Sequence, residues 1–143
     1  MKQKHTIGRR ELVDFPELGL FGLTAKVDTG AYTTALHCHD VREEKGVLFL
    51  KLLDPTLVGY TGKEISFSDF TKKDIKNSFG ETESRYIIKT VIRIGKKRIK
   101  SVISLTDRGT MRYPVLIGRK LLKNRYVVDV SLLNNIPSVK RKK

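Results

Sequence analysis

The chain has 143 residues, of which 29 are lysine or arginine and 15 are aspartate or glutamate, and its formal net charge is +14. This length suits one domain with a real hydrophobic core, and the 39% apolar content excludes a disordered chain. The single cysteine excludes an intrachain disulfide, and no apolar stretch suits a signal peptide or a membrane span. We therefore expect a cytoplasmic protein without membrane association, with one domain over residues 1–139 and a basic tail over residues 140–143.

The positive charge is concentrated in the second half of the chain. Residues 71–143 carry 20 basic and 5 acidic side chains, whereas residues 1–70 carry 9 basic and 10 acidic side chains. A positive field of this strength attracts polyanions such as nucleic acid, an anionic membrane or an acidic peptide. The composition thus restricts the class of partner without selecting one.

The predicted secondary structure is a series of short strands. Apolar alternation bounded by turn residues predicts them within residues 7–16, 20–27, 32–41, 47–53, 85–94, 98–105, 113–117 and 126–130. Gly95-Lys96 is a plausible hairpin turn, and residues 119–124 suit one or two helical turns. Residues 56–83 are polar and contain several glycines, which predicts a long binding loop or lid. Many short strands with one short helix favour an all-β barrel or sandwich.

The strand over residues 20–27 leads into Asp28-Thr29-Gly30-Ala31. Thr29 can hydrogen-bond within a tight turn, and Gly30 allows a positive φ or a close approach of the backbone to a ligand. Ala31 leaves space beside the acid, and Thr33 follows shortly after it. A carboxylate displayed in this way can act as general base or acid when water attacks an amide. The simpler alternative is an Asx-turn that only ends a strand.

A second stretch far downstream makes the first one more specific. The sequence Val115-Leu116-Ile117-Gly118-Arg119-Lys120-Leu121-Leu122, together with the Asp-Thr-Gly-Ala strand, resembles the retropepsin fold. More narrowly, the chain resembles the bacterial and archaeal family described as ATP-dependent zinc proteases, which are retropepsin-like. The resemblance implies an all-β, closed barrel of the acid-protease type with one short C-terminal helix. The stretches that carry it span nearly the whole chain: residues 7–11, 26–37, 80–85 and 105–119.

The resemblance implies that Asp28 is the catalytic acid of an aspartic endopeptidase, that Thr29 braces its turn, and that Gly30 and Ala31 line the cleft. Hydrolysis by this chemistry needs two carboxylates that share one proton. Because the chain contains only one such motif, we expect a homodimer with one Asp28 from each protomer. Asp107 is the alternative second acid, although a turn acid paired with Arg108 is the simpler interpretation of it.

Neither a zinc site nor an ATP site is evident in the motifs. The chain lacks His-Glu-x-x-His, and the lysine in its Gly-rich segment at residues 59–64 lacks P-loop spacing. His37-Cys38-His39-Asp40 could place two histidines on one face of a strand, but an ordinary polar strand end is the simpler interpretation. We predict no required metal, no ATP site and no other cofactor.

The resemblance also implies a functional link to an ATP-grasp ligase that adds glutamates to a ribosomal protein. An acidic peptide or glutamylated protein, with an oligo- or polyglutamate segment, would then be the substrate. Arg85, Arg108 and Arg119 lie within the family-like stretches, and arginine can hold carboxylates in bidentate fashion. We predict that they bind substrate together with Ala31 and Thr33. Alternatively, each arginine orders a turn or pairs with an aspartate, Asp107 or Asp129.

Two other functions are compatible with the sequence. A non-enzymatic basic module could bind nucleic acid or the ribosome, although aromatic residues are sparse among the basic ones and no recognition helix is evident. A degenerate protease fold could also serve only as a dimerisation scaffold, because fold does not imply function.

Overall fold

The computed structural model of the chain describes residues 3–76, 79–107 and 112–137. The predicted substrate ligand Arg108 and the predicted basic tail over residues 140–143 lie outside the described residues, and both stay predictions. Within the part of the chain that is described, no helix has the length and apolar character needed to cross a membrane.

The described chain folds into ten strands and one short helix. A 3-10 turn, Pro16–Leu18, joins the first two strands. The elements in chain order are β1 His5–Phe15, β2 Leu20–Val27, β3 Thr34–Glu44, β4 Val47–Leu52, β5 Glu64–Phe67, β6 Thr71–Lys76, β7 Thr82–Ile94, β8 Lys97–Thr106, β9 Val115–Ile117, α1 Arg119–Leu122 and β10 Tyr126–Leu133. Every predicted strand overlaps an observed one, and the predicted turn at Gly95-Lys96 joins β7 to β8.

The predicted long loop over residues 56–83 is wrong, because it contains β5 and β6. Strand β5 pairs with β4, and β6 pairs with β7 along its whole length from Thr71 to Lys76. Ile75 is the only apolar residue of β6, and its neighbours in the strand are exposed. Strand β6 is therefore formed by backbone pairing with β7. Such pairing does not require alternating apolar residues, so the sequence of β6 gives no sign of a strand.

The sheet curls into a ring. Its strand order is β10-β1-β2-β9-β3-β8-β7-β6, and β1 also pairs with β7. That closure consists of one residue pair, Asp14 opposite Arg93, and the two side chains form an ion pair at 2.9 Å. The predicted all-β class with one short helix is confirmed. The closure is narrower than a complete barrel, because one residue pair replaces a full ladder between β1 and β7.

The hydrophobic core fills the inside of this ring. Its largest fully buried side chains include Phe15, Leu36, Ile88, Ile103 and Ile117. They come from β1, β3, β7, β8 and β9, so every side of the ring contributes to one core. Burying an aliphatic side chain of this size contributes about 1.5–3 kcal/mol. This core fixes the central strands β2, β9 and β3, from which the candidate site projects.

A buried carboxylate ties the end of the described chain to β1. Glu11 is 0% exposed and accepts hydrogen bonds from three backbone N–H groups. The donors are Gly8 at 2.7 Å and, from the segment after β10, Asn135 and Ile136, both at 3.0 Å. One side chain thus satisfies donors from two parts of the chain that are far apart in sequence.

We expect Glu11→Ala to lower the free energy of unfolding by about 3 kcal/mol, since it leaves one buried and two partly buried N–H donors without their acceptor. Urea denaturation followed by circular dichroism measures this change. Asp69→Ala removes an exposed carboxylate and serves as the control, with an expected change within about 0.5 kcal/mol. Equal stability of the Glu11→Ala protein and the wild type would contradict the assigned role.

Candidate active site

Asp28 stands where two parallel strands end. Strands β2 and β9 pair in parallel up to Val27 and Ile117, and the N–H of Asp28 donates to the Ile117 carbonyl at 2.9 Å. The chain then leaves the sheet, so the half-buried Asp28 side chain projects from the carboxyl ends of both strands. The core beneath β2 and β9 therefore sets the position of this carboxylate.

The predicted tight turn at Asp28 is observed. The N–H of Gly30 donates to Asp28 Oδ1 at 3.0 Å, and the N–H of Ala31 donates to the Asp28 carbonyl at 3.1 Å. Gly30 does not have a positive φ. A Cβ at Gly30 would lie 3.2 Å from Asp28 Oδ1, a tight contact that would press on the catalytic candidate's carboxylate. Among the described residues, the second carboxylate oxygen of Asp28 has no hydrogen-bond partner.

Gly118 locks the start of α1 onto this turn. Its N–H donates to the buried Thr34 hydroxyl at 3.1 Å. The next two N–H groups, of Arg119 and Lys120, donate to the carbonyls of Ala31 and Tyr32, both at 2.9 Å. The stretch over residues 115–122 therefore packs against the segment that follows Asp28, as the resemblance to the retropepsin fold implies.

A small cleft of about 60 Å³ opens beside the turn. The predicted residues Asp28, Gly30, Ala31, Thr33 and Arg85 all line it. Asp28 is the single carboxylate among the described residues that line the cleft, whereas two of those residues are cationic. The other lining residues are Tyr32, Ala35, Ile75, Lys76, Thr106 and Leu116.

Arg85 is held at the cleft by an acid that the sequence analysis did not consider. Its Nε and Nη2 atoms donate to Glu83 Oε2 at 3.1 and 2.8 Å, and Nη1 lies 3.4 Å from the Ser104 hydroxyl. Glu83 therefore takes the place of the aspartates proposed as alternative partners. These contacts fix the guanidinium beside the cleft, and its binding to substrate stays a prediction.

Arg119 braces the Asp28 turn. Its Nη1 donates to the Thr29 carbonyl at 2.8 Å, and the guanidinium lies 5.7 Å from the centre of the Tyr32 ring. These contacts agree with the alternative in which the arginine orders a turn. The carbonyl of Thr29 is the group that makes this contact.

A buried histidine contacts Thr106, one of the residues that line the cleft. His37 Nε2 lies 2.8 Å from Asp54 Oδ2, and Nδ1 lies 3.2 Å from the carbonyl of Thr106. Hydrogen bonds from the hydroxyl and N–H of Thr56 hold the pKa of Asp54 below its ordinary value, and the bond to His37 adds to this shift. An Asx-turn at Asp54-Pro55-Thr56 is a sequence signal for the turn at Asp54, but it does not identify His37 as the partner.

The side chains of His37, Cys38 and His39, considered as an alternative metal site, are engaged or buried separately. Both ring nitrogens of His37 face protein oxygens, and His39 Nε2 lies 2.9 Å from the Tyr60 hydroxyl. Cys38 is buried, and burial, with a contribution from the charge of Asp107, raises the pKa of its thiol to about 12. Across the described ranges, no three His, Cys, Asp or Glu side chains are grouped so that they could hold a metal ion.

An Asp-Thr-Gly turn at the ends of two parallel strands, held by a glycine before a short helix, defines a retropepsin-like domain. The chain belongs to the RimB-like family, because the family described as "Retropepsin-like aspartic endopeptidase RimB" matches residues 6–137. The resemblance stated from the sequence and the retropepsin-like class are therefore both confirmed.

The names of curated relatives describe a different activity. Proteins named probable alpha-L-glutamate ligase are 32% identical in Desulfotalea psychrophila and 34% identical in Shewanella halifaxensis, over 138 and 134 residues. Each alignment covers 90% of this chain but 29% of the relative. The chain therefore spans less than a third of the length of these relatives.

A solved structure shares the fold. The crystal structure of a Legionella pneumophila protein of unknown function is 27% identical and superposes with a TM-score of 0.68. The match covers 93% of this chain and 98% of the Legionella chain. The ring of strands is thus similar in fold to the Legionella protein over nearly the whole of both chains.

Proposed function

We propose that this protein is an aspartic endopeptidase that hydrolyses peptide bonds in acidic, oligo- or polyglutamate peptides. One observation carries the proposal: the Asp28 carboxylate lies in a cleft lined by two cations, Lys76 and Arg85, of which Arg85 is paired with Glu83. Its Oδ1 is fixed by Gly30, while Oδ2 has no hydrogen-bond partner among the described residues. An oriented carboxylate with one oxygen available can take a proton from water.

The proposed reaction needs a second carboxyl group. Asp28 is the single acid among the described lining residues, so we propose a homodimer in which two Asp28 side chains share one proton. The ionised carboxylate takes a proton from water while the water oxygen attacks the carbonyl carbon. The protonated partner then donates to the leaving nitrogen as the C–N bond breaks. Asp107 is the weaker alternative because it is exposed after β8 and does not line the cleft.

The acidic substrate is supported by charge and by the relatives. Lys76, which has no ion pair among the described residues, gives the cleft a cation that attracts carboxylates. Glu83 holds Nε and Nη2 of Arg85, so Nη1 is the atom of Arg85 proposed to donate to substrate. The relatives named probable alpha-L-glutamate ligase support a functional link to an ATP-grasp glutamate ligase, whose product would contain such carboxylates. Thr33, Ala31 and Arg108 are proposed substrate contacts, whereas Arg119 is proposed to position the turn.

We expect wild-type protein to cleave a hexaglutamate peptide with a kcat/KM about tenfold or more above that for a neutral glutamine–serine peptide of equal length. Arg85→Met should lower kcat/KM for the acidic peptide by about tenfold, because one charge-assisted hydrogen bond contributes about 1.5–3 kcal/mol. Initial rates measured by chromatography of the products provide both values. Lys63→Met, which removes an exposed lysine outside the cleft, is the matched control and should leave both rates unchanged.

Preference for the neutral peptide would contradict the proposed substrate class. Absence of cleavage of either peptide, combined with strongly salt-dependent binding of RNA, would favour the non-enzymatic basic module.

A further inference from the structure

A second concave surface lies on the outer face of β7 and β8, beside α1. Its cavity of about 430 Å³ is several times larger than the cleft at Asp28. The cross-strand pairs Lys89–Val102 and Val91–Lys100 place two lysines and two valines on the same face of the sheet. Side chains from α1 and the turn after it, Lys120, Leu121 and Arg125, form the facing wall.

An adjoining concavity of about 750 Å³ extends this surface. It shares Lys120 and Arg125 with the first cavity and adds Lys97 and Lys123. We call the combined surface the basic groove and define it by its six cations: Lys89, Lys97, Lys100, Lys120, Lys123 and Arg125.

The cations of the basic groove are not neutralised within the described chain. None of the six forms an ion pair with another described residue. Glu17 is the one carboxylate among the described residues that line the groove. It is engaged by the hydroxyl of Thr90 at 3.1 Å and the N–H of Val91 at 3.3 Å. A concave surface with many unpaired charges of one sign concentrates counter-ions of the opposite sign.

We infer that the basic groove binds an acidic peptide segment through several carboxylates. Val91, Val102 and Leu121 offer apolar contact to the methylene groups of glutamate side chains. Among the described residues that line the groove, His5 is the single exposed ring, so the groove lacks the series of aromatic platforms on which successive nucleic-acid bases stack. Tyr126, whose ring centre lies 5.5 Å from the ammonium nitrogen of Lys97, is 7% exposed.

The groove and the Asp28 turn lie on either side of the same short helix. Arg119 reaches back to the carbonyl of Thr29, whereas the side chain of the next residue, Lys120, lines the groove. The Lys120 N–H also bonds to the Tyr32 carbonyl. One extended acidic chain could therefore contact both places. The groove would hold the part of the substrate that is not cleaved, and this role, unlike the binding itself, rests on the proposed function.

Binding is tested in the Asp28→Asn protein, so that cleavage does not interfere. The probe is a fluorescently labelled glutamate 16-mer, followed by fluorescence anisotropy at fixed salt. The double variant Lys89→Glu/Lys100→Glu should bind about tenfold or more weakly, because each exposed charge pair contributes modestly and reversal adds repulsion. Lys45→Glu/Lys63→Glu makes the same change in net charge away from the groove and should bind within about twofold of the parent.

In the active protein, the groove variant should raise KM for the 16-mer and leave kcat, and the kinetics of the hexamer, unchanged. Equal weakening by both double variants would overturn the inference, because net charge alone would then explain binding.

Tighter binding of a 16-nucleotide RNA, lost in the groove variant, would overturn the assignment of a peptide. Binding as expected without any cleavage by wild type would support the groove while contradicting the proposed function. Cleavage by wild type, with equal binding of the 16-mer by the parent and the groove variant, would support the proposed function and contradict the groove.

Discussion

Replacing Asp28 with asparagine is expected to lower kcat for peptide hydrolysis by about 100- to 10,000-fold, the range for loss of a positioned acid or base. Asparagine has the same shape, and its side-chain oxygen can still accept the hydrogen bond from the N–H of Gly30. The amide cannot take a proton from water, so the effect should fall on the chemical step. Initial rates with the hexaglutamate peptide measure the change, and an unchanged thermal melting curve shows that the turn is intact.

The same variant tests whether two protomers share one site. If each active site needs both copies of Asp28, mixed dimers are inactive. A ninefold excess of the variant should then lower the activity of a fixed amount of wild type to about one tenth by random assortment of twofold dimers. Undiminished wild-type activity in the exchanged mixture would contradict the shared site and would direct attention to Asp107 in the same chain.

Gly118→Ala is expected to lower the free energy of unfolding by about 2–3 kcal/mol and to remove most of the activity. A Cβ at Gly118 would lie 2.5 Å from the Tyr32 carbonyl oxygen and 2.7 Å from the Thr33 carbonyl carbon. Both are backbone atoms that cannot rotate away, so the segment after Asp28 or the start of α1 must move. Urea denaturation and initial rates on the same preparation measure the two effects together.

Gly46→Ala separates this steric effect from backbone strain. Gly46 has a φ of +77° and open space around its Cβ position, in a hairpin far along the sheet from α1. Its substitution should cost about 1 kcal/mol through backbone conformation alone and leave the activity intact. A Gly118→Ala protein that is no less stable than Gly46→Ala, and fully active, would contradict the proposed lock between α1 and the Asp28 turn.

The sequence predicted the strands that contain fully buried side chains and missed β5 and β6, which contain none. Strand β7 alternates apolar and polar residues, and its buried positions Ile88, Ile92 and Ile94 made it recognisable. Strand β6 is mostly exposed and is formed by backbone pairing, which leaves no side-chain pattern. The closure of the ring depends on Asp14 and Arg93, which lie 79 residues apart, and such a pairing has no local signal.

The candidate site was predicted where one continuous motif forms it. Asp28 and Ala31 lie in one turn, and the distant Arg85 was found through the family-like stretches. Lys76 was missed because its strand was interpreted as part of a loop. The pair of His37 with Asp54 was also missed, because Asp54 is 17 positions away in the turn after β4, whereas His37 lies within β3.

The central claim is that Asp28 catalyses hydrolysis of an acidic peptide by an aspartic mechanism. The most direct test is mass spectrometry of a hexaglutamate peptide after incubation with wild type in the presence of a metal chelator. We expect fragments that together equal the peptide plus one water, and we expect none with the Asp28→Asn protein. An intact peptide with wild type, or cleavage that the chelator abolishes, would contradict the claim.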